Sequence, residues 1–445
     1  MDVYQEYKSK CCTADQAVQV VKDGDWVDYG MSCAYPTALD KALARRQGDL
    51  KDIKVRNAIS CHPVAILEAD PENETFTYNL WHCSAIDRKY LDAGRAYHEP
   101  MLFRDCGSYY TRGFAPVNVA MITVAPMDRH GNFSFGLTNG CTQEMLDAAE
   151  TIIVEVNPIL LVVFGMGSDH IHVSKVQAIV ESQEAVSLAP NREPSAIDKQ
   201  IAENIFPYLH DGITLQLGIG GMPNALGILI AESDLKDLGM HTELMSDGYL
   251  NLYKAGKITN DKKPFQRGKG VFSICMGSKE LYEFLDHNQD VLSAPMHYVN
   301  NPETIRQLDD FISINSCIAA DLYGQVCSES AGTRHISGTG GQLDFVTGAY
   351  AADHGKAFLA MPSSRVDKKG VRHSNILPKF TAGDIITTPR TQAPYMVTEY
   401  GVANLSGLAT WQRAEALINI AHPDMREDLI KAAEAQRIWR RSNKI

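Results

Sequence analysis

The sequence predicts an α/β fold of two similar halves with mostly parallel sheets. Three observations carry this. Short apolar runs of strand length alternate with helical segments, the order that parallel sheets covered on both faces require. A β–loop–α–β unit stands out at Thr214–Met245, with a glycine-rich loop, Gly218 to Pro223, between its first strand and its helix. The same punctuation occurs about 190 residues earlier. Gly24 to Gly30 and Gly212 to Gly218 are both six residues, and the next proline follows after six residues (Pro36) and five (Pro223). Such self-similarity reads as an internal repeat.

Taken in order, Thr13–Val21 is a helix opened by a capping-box pattern, Thr13 with Gln16. Trp26–Tyr29 is a strand ending at Gly30, and a loop through Pro36 leads to the helix Thr37–Arg45. Strands follow at Ile53–Ala58, Thr75–Leu80 and Asn118–Ala125, then a turn-rich loop over 126–132 and a short strand at Phe133–Gly136. Thr142–Glu150 is a helix and Thr151–Val156 an apolar strand. Ser182–Ile197 loses periodicity and carries two prolines, which marks a linker between an N-terminal half, 1–190, and a C-terminal half, 199–445.

Gln200–Leu209 opens the second half as a helix, followed by the strand Thr214–Leu217. Glycines at 218, 220 and 221 allow a sharp turn and close approach to a ligand, and Pro223 suits the first turn of the helix through Ala231. His241–Met245 is the next strand. Further strands are predicted at Val271–Met276, Phe311–Ile314, Phe358–Met361, Asp384–Thr388 and Tyr395–Thr398, with closing helices at Leu405–Ala421 and Met425–Arg437. In open parallel sheets ligands bind beyond the carboxyl ends of the strands, so the loop after Leu217 and Glu243 should face one crevice.

Composition narrows the function. A chain of 445 residues with formal charge −12 offers no nucleic-acid surface, so an anionic ligand needs a local basic patch. The ten cysteines contain no C-x-x-C pair, which in a long chain favours reduced thiols and a cytoplasmic setting. The polar N-terminus MDVYQEYKSK is no signal peptide, and the longest apolar runs, Val119–Ala125 and Ile159–Gly165, are too short to span a bilayer. No membrane partner is expected.

Two glycine clusters, Gly218–Gly221 and Ser337–Gly341, each offer backbone N–H groups to an anion or oxyanion. The first is not a dinucleotide fingerprint, because Pro223 stands where the last glycine would be, and it lacks the Lys-Ser/Thr of a P-loop. Glu243, at a strand end beside Ser246-Asp247-Gly248, is the leading carboxylate. Glu155, Glu329 and Glu399 compete with it. His170 and His172 share one face of an extended segment and His82 adjoins Cys83, but neither pair has further ligands at suitable spacing, so no metal site is predicted. The basic run Ser363–Arg372 is either a solvated loop or a phosphate contact.

The segments GIGGMPNA (218–225), HTELMSDG (241–248), GQVCSESAG (324–332), SGTGGQLDF (337–345) and VTEYGVANL (397–405) resemble those of the acetyl-CoA hydrolase/transferase family. They are most similar to its butyryl-CoA:acetate and 4-hydroxybutyrate CoA-transferase members, and the resemblance runs over essentially the whole chain. It implies two open α/β/α domains of the NagB-like CoA-transferase type, with CoA held mainly against the second. It implies that Glu243 is the catalytic carboxylate, forming a glutamyl-CoA thioester. Gly218, Ile219, Gly220, Gly221, Met222, Gly340 and Gly341 are implied as oxyanion and CoA-binding positions, Ile318 and Lys368 as lining the CoA site, and Gln342 as a contact to substrate. Coenzyme A and acyl-CoA are then substrates, with no permanently bound cofactor, and a homo-oligomer is implied. A carboxylate nucleophile must be ionised, so no raised pKa is expected of Glu243. The first half should cover the site, with Gly30–Pro36 and Pro126–Gly136 as walls of a short acyl pocket. The C-terminal IWRRSN leans towards butyryl-CoA as donor and acetate as acceptor. A 4-hydroxybutyrate or propionate CoA-transferase, an acyl-CoA hydrolase and a non-catalytic CoA-binding module are the alternatives.

Overall fold

A computed structural model describes residues 2–189, 192–440 and 442. Pro190 and Asn191 of the linker, and Arg441 and Asn443 of the C-terminal IWRRSN, lie outside the described residues. Two large sheets dominate. The first runs 96–98, 76–80, 53–57, 26–29, 119–124, 151–156, 178–181, with every neighbouring pair parallel. The second runs 291–293, 270–275, 239–245, 214–217, 311–316, 356–360, 395–398, 401–404, parallel except for its last pair.

Numbered within its own half, each sheet has the order 4-3-2-1-5-6-7, and the second adds one antiparallel edge strand. The spacing repeat in the sequence is thus a repeat of topology. Its equivalent parts agree in detail. Gly24 (φ 85°) and Gly212 (φ 82°) take the left-handed conformation that an Asp-Gly turn into the strand requires. The strand-end glycines Gly30 and Gly218 donate to Met121 O (2.8 Å) and Ile314 O (3.1 Å) across the same strand pair.

Burial explains the apolar runs. All six residues of 119–124 and of 270–275 are buried, as expected for central parallel strands with both faces covered. Inside the first sheet Arg56 pairs with Asp28 at 2.9 Å, both nearly inaccessible, and Tyr110 Oη donates to the same carboxylate at 2.6 Å. The halves interlock: Asn139 N–H donates to Ser273 O at 3.0 Å, and Cys33 packs its sulfur on Cys275 O.

Most expected elements are present, with corrections at their ends. The helix predicted from Gln200 begins at Ala196, because Ser195 and Asp198 form a capping box. The strand predicted at 384–388 is not formed: the Asp384 carboxylate accepts from Thr381 N (2.7 Å) and Gly332 N (3.1 Å), holding the chain in a turn, and only Thr388 makes an isolated bridge. Among the described residues no helix is long and apolar enough to cross a membrane.

Candidate active site

Strand order places the site. In both sheets the chain reverses its direction of growth between the first strand and the fifth, and such switch points open a crevice at the carboxyl ends. In the second half this crevice lies where 214–217 gives way to Gly218 and 311–316 to Cys317. A cavity of about 720 Å³ occupies it, a size suited to a small-molecule ligand. Gly218, Ile219, Glu243, Asn315, Ile318, Gly340, Gly341 and Gln342 line it from the second half. The first half contributes other walls, among them Ile59–Cys61, His82–Ile86, Arg88 and Phe103. The equivalent crevice of the first sheet is filled: Tyr29, Met31, Trp81 and Met145 leave only about 20 Å³, room for roughly one water.

Glu243 sits near the end of its strand, 239–245, and keeps part of its surface on the cavity. Asn300 Nδ2 donates to its Oε2 at 2.5 Å. The same amide nitrogen lies 3.5 Å from Asp344 Oδ2, and Arg104 approaches the other Asp344 oxygen at 3.1 Å. Burial pushes the Glu243 carboxyl up to about 7, with the Asn300 hydrogen bond pulling against it. This differs from the sequence expectation of an unshifted acid: a carboxylate among apolar walls and bare main chain loses more hydration than one amide restores. Burial likewise raises Asp344, to about 8, against the pull of Arg104.

The second glycine loop closes over this carboxylate. A Cβ on Gly341 would fall 2.0 Å from Glu243 Oε2 and 2.3 Å from Asn300 Nδ2. Any side chain there would have to displace the ends of Glu243 and Asn300. Gly340 is in the left-handed region (φ 58°), and its carbonyl accepts from Phe103 N–H at 3.3 Å, which ties the loop to the first half.

Not every expected position meets the cavity. Gly220, Gly221 and Met222 do not line it. Met222 is buried in the core, and Gly221 packs on Asp198, whose carboxylate a Cβ would strike at 2.3 Å. Lys368 lies exposed in the turn of the 364–366/372–374 hairpin, away from the lining. Gln342 lines the cavity, but its amide is engaged, accepting from Ser328 Oγ (2.8 Å) and donating to Thr388 Oγ1 (2.9 Å). Neither Gly30–Pro36 nor Pro126–Gly136 lines the cavity. The first of these segments packs against the second sheet through Cys33, and the second runs into the small 132–134/170–172 ladder.

The competing carboxylates are occupied elsewhere. Glu155 accepts from Ala38 N and Leu39 N, capping a helix, Glu399 accepts from Ser363 N and Oγ, and Glu329 accepts from Thr339 Oγ1. Asn300, Asn315 and Phe103 were invisible in the sequence, since no motif spacing ties them to Glu243.

Comparison with known proteins places this architecture. RipA from Yersinia pestis superposes with a TM-score of 0.91 at 34% identity, covering 98% of this chain and all of that one. A 4-hydroxybutyrate CoA-transferase from Porphyromonas gingivalis gives 0.77 at 32% identity, covering 98% and 99%. The fold is that of the CoA-transferase class. The sequence matches the acetyl-CoA hydrolase/transferase N-terminal domain over residues 1–190 and its C-terminal domain over 277–433. A butyryl-CoA:acetate CoA-transferase of Anaerostipes caccae is 46% identical over 446 residues, spanning both chains completely. A 4-hydroxybutyrate coenzyme A transferase of Clostridium kluyveri is 38% identical over 97% of this chain and 98% of that protein. The chain belongs to the acetyl-CoA hydrolase/transferase family.

Proposed function

We propose that this protein moves CoA from butyryl-CoA to acetate through a glutamyl-CoA thioester on Glu243. The observation that carries the reading is the placement of Glu243: one carboxylate at the switch-point cavity, fixed by Asn300 and covered by Gly341. Exchanging CoA between two acids requires that the acyl activation never be lost to water, and a carboxylate nucleophile satisfies this. Ionised Glu243 attacks the thioester carbonyl, the C–S bond breaks, and CoA leaves as thiolate. The thiolate then attacks the glutamyl carbonyl of the mixed anhydride, releasing butyrate and leaving glutamyl-CoA. Acetate repeats the two steps in reverse, giving acetyl-CoA and free Glu243. Every bond broken is matched by one formed and no oxidation state changes, so the exchange requires no redox cofactor.

Each tetrahedral intermediate carries an oxyanion. Main-chain N–H groups of Ile219 and of Gly340–Gly341 are the donors we assign, because these residues line the cavity while the Gly218 N–H is committed to Ile314 O. One such donor is worth about 3–4 kcal/mol of barrier. Lys368, on its exposed hairpin, is assigned to a CoA phosphate. We divide the chain at the 182–197 linker into two domains, 1–190 and 199–445, the first supplying the far wall of the site. We assign the protein to the cytoplasm as a homo-oligomer.

A panel of short acyl-CoAs against short carboxylates tests the reading. Fastest exchange between butyryl-CoA and acetate is expected, with CoA mass added to the Glu243 peptide when no acceptor is present. Thiol release without any acceptor, and no adduct on that peptide, would reject it.

A further inference from the structure

One cluster of side chains is used by none of this chemistry. The Cys83 sulfur and ring nitrogens of His98 and His335 all lie within 4.8 Å of one another. Three elements bring them together: Cys83 follows the strand 76–80, His98 ends the strand 96–98, and His335 ends the 330–331/334–335 hairpin of the other half. The two imidazoles lie close and tilted, with centroids 4.0 Å apart and planes at 35°. Both ring nitrogens of His98, and Nε2 of His335, are buried and make no well-formed hydrogen bond among the described residues, although the Leu80 backbone bears on the His98 ring. Buried polar atoms without good partners are rare and costly, so three in one place call for a missing partner.

A bound cation supplies one. We propose that Cys83, His98 and His335 form a site for a thiolate- and imidazole-preferring divalent metal, of which Zn²⁺ is the type, joining the two halves beside the 337–341 glycine loop. The donor set selects this class of ion: one sulfur and two imidazoles with no carboxylate among them suit Zn²⁺ and not Mg²⁺ or Ca²⁺. Tetrahedral zinc, with bonds of about 2.0–2.3 Å, holds its ligand atoms about 3.3–3.6 Å apart, so the cluster needs to contract by only about 1 Å. Three protein ligands leave the fourth position to water. Binding replaces the S–H bond of Cys83 by a metal–sulfur bond and releases that proton to solvent. The flanking contacts already clamp the two halves at this point. Arg334 pairs with Asp92 at 2.7 Å, and Arg88 Nε donates to Ile336 O at 2.7 Å. His82, adjacent to Cys83 in sequence, takes no part; its ring packs on Phe103 at 5.3 Å.

The test uses the full-length protein, stripped with chelator and dialysed against Zn²⁺. One zinc retained per chain and a melting temperature above that of the stripped protein are expected. With Co²⁺, a thiolate-to-cobalt charge-transfer band should appear and vanish in Cys83→Ser. His98→Gln and His335→Gln should each weaken Zn²⁺ binding by about tenfold or more, since even outer-shell partners of a metal cost that much. Should Cys83→Ser not fold, the two histidine variants decide. Retention of no metal, or equal binding by the wild type and all folded variants, overturns the site.

Discussion

Replacing Gly341 by alanine tests the geometry around Glu243, the proposed nucleophile, most directly. The added methyl would stand 2.0 Å from Glu243 Oε2, where ordinary contact begins near 3.4 Å. Something must therefore retreat by about 1.4 Å, the difference between these distances. The main chain resists, because Gly340 O accepts from Phe103 N–H and Gly341 O from Phe345 N–H. Asn300 resists too, since its amide would meet the same methyl at 2.3 Å. The carboxylate is displaced, and about 1 Å of misplacement costs about 10²-fold in rate. We expect kcat for acyl exchange to fall by about 10²-fold, equivalent to about 2.7 kcal/mol of barrier, with an overpacking loss of about 1–3 kcal/mol in stability. Shortening the acid by one methylene removes the collision, so Glu243→Asp in the Gly341→Ala background should melt higher than Gly341→Ala alone. Exchange and melting at wild-type values in Gly341→Ala would refute the reasoning.

Other outcomes follow from the same contacts. In the proposed reaction Glu243 attacks in its ionised form, and burial raises its carboxyl to about 7, so kcat/KM should rise with pH through an acid limb near 7. Asn300→Ala removes the hydrogen bond that lowers this value, and the limb should move upward; an unmoved limb would separate it from Glu243. A carboxyl raised from 4.5 to about 7 on folding destabilises the folded state progressively as pH rises through that window, by up to about 3 kcal/mol above it. Glu243→Gln should therefore raise the melting temperature at pH 8 and leave it nearly unchanged at pH 4.5, measured by calorimetry. Lys368→Ala should raise KM for acyl-CoA by no more than about fivefold and less at high salt, since an exposed charge contributes roughly 1 kcal/mol or less. Asp28→Ala removes the closer of two carboxylates paired with the buried Arg56, leaving Glu99 at 3.2 Å, and should cost less than the about 3–5 kcal/mol of a wholly unpaired buried charge in denaturant unfolding.

The parts of the fold legible in the sequence are those that local chemistry dictates. Apolar runs such as Val119–Ala125 can only be buried strands, and the Asp-Gly to Gly spacing repeats because the same turn feeds the same strand twice. Short edge strands, 96–98 and 291–293, carry too few residues for any periodicity to register. The false strand at 384–388 has suitable residues, but Asp384 spends its carboxylate on neighbouring N–H groups. At the site, Glu243 and the 337–341 loop were readable because glycine and a strand-end acid announce themselves. Asn300 lies 57 residues from Glu243 and is brought there only by tertiary packing. The walls from the first half were misplaced for the same reason: which loop crosses over the second half depends on how two complete sheets dock.

The matched strand orders give each chain two crevices of the same design, yet Met31, Tyr29, Trp81 and Met145 have closed the first. Of these two crevices, among the described residues only the second leaves room for a small molecule. If the proposed reaction runs there, CoA titration should saturate at one equivalent, with the first copy serving as scaffolding.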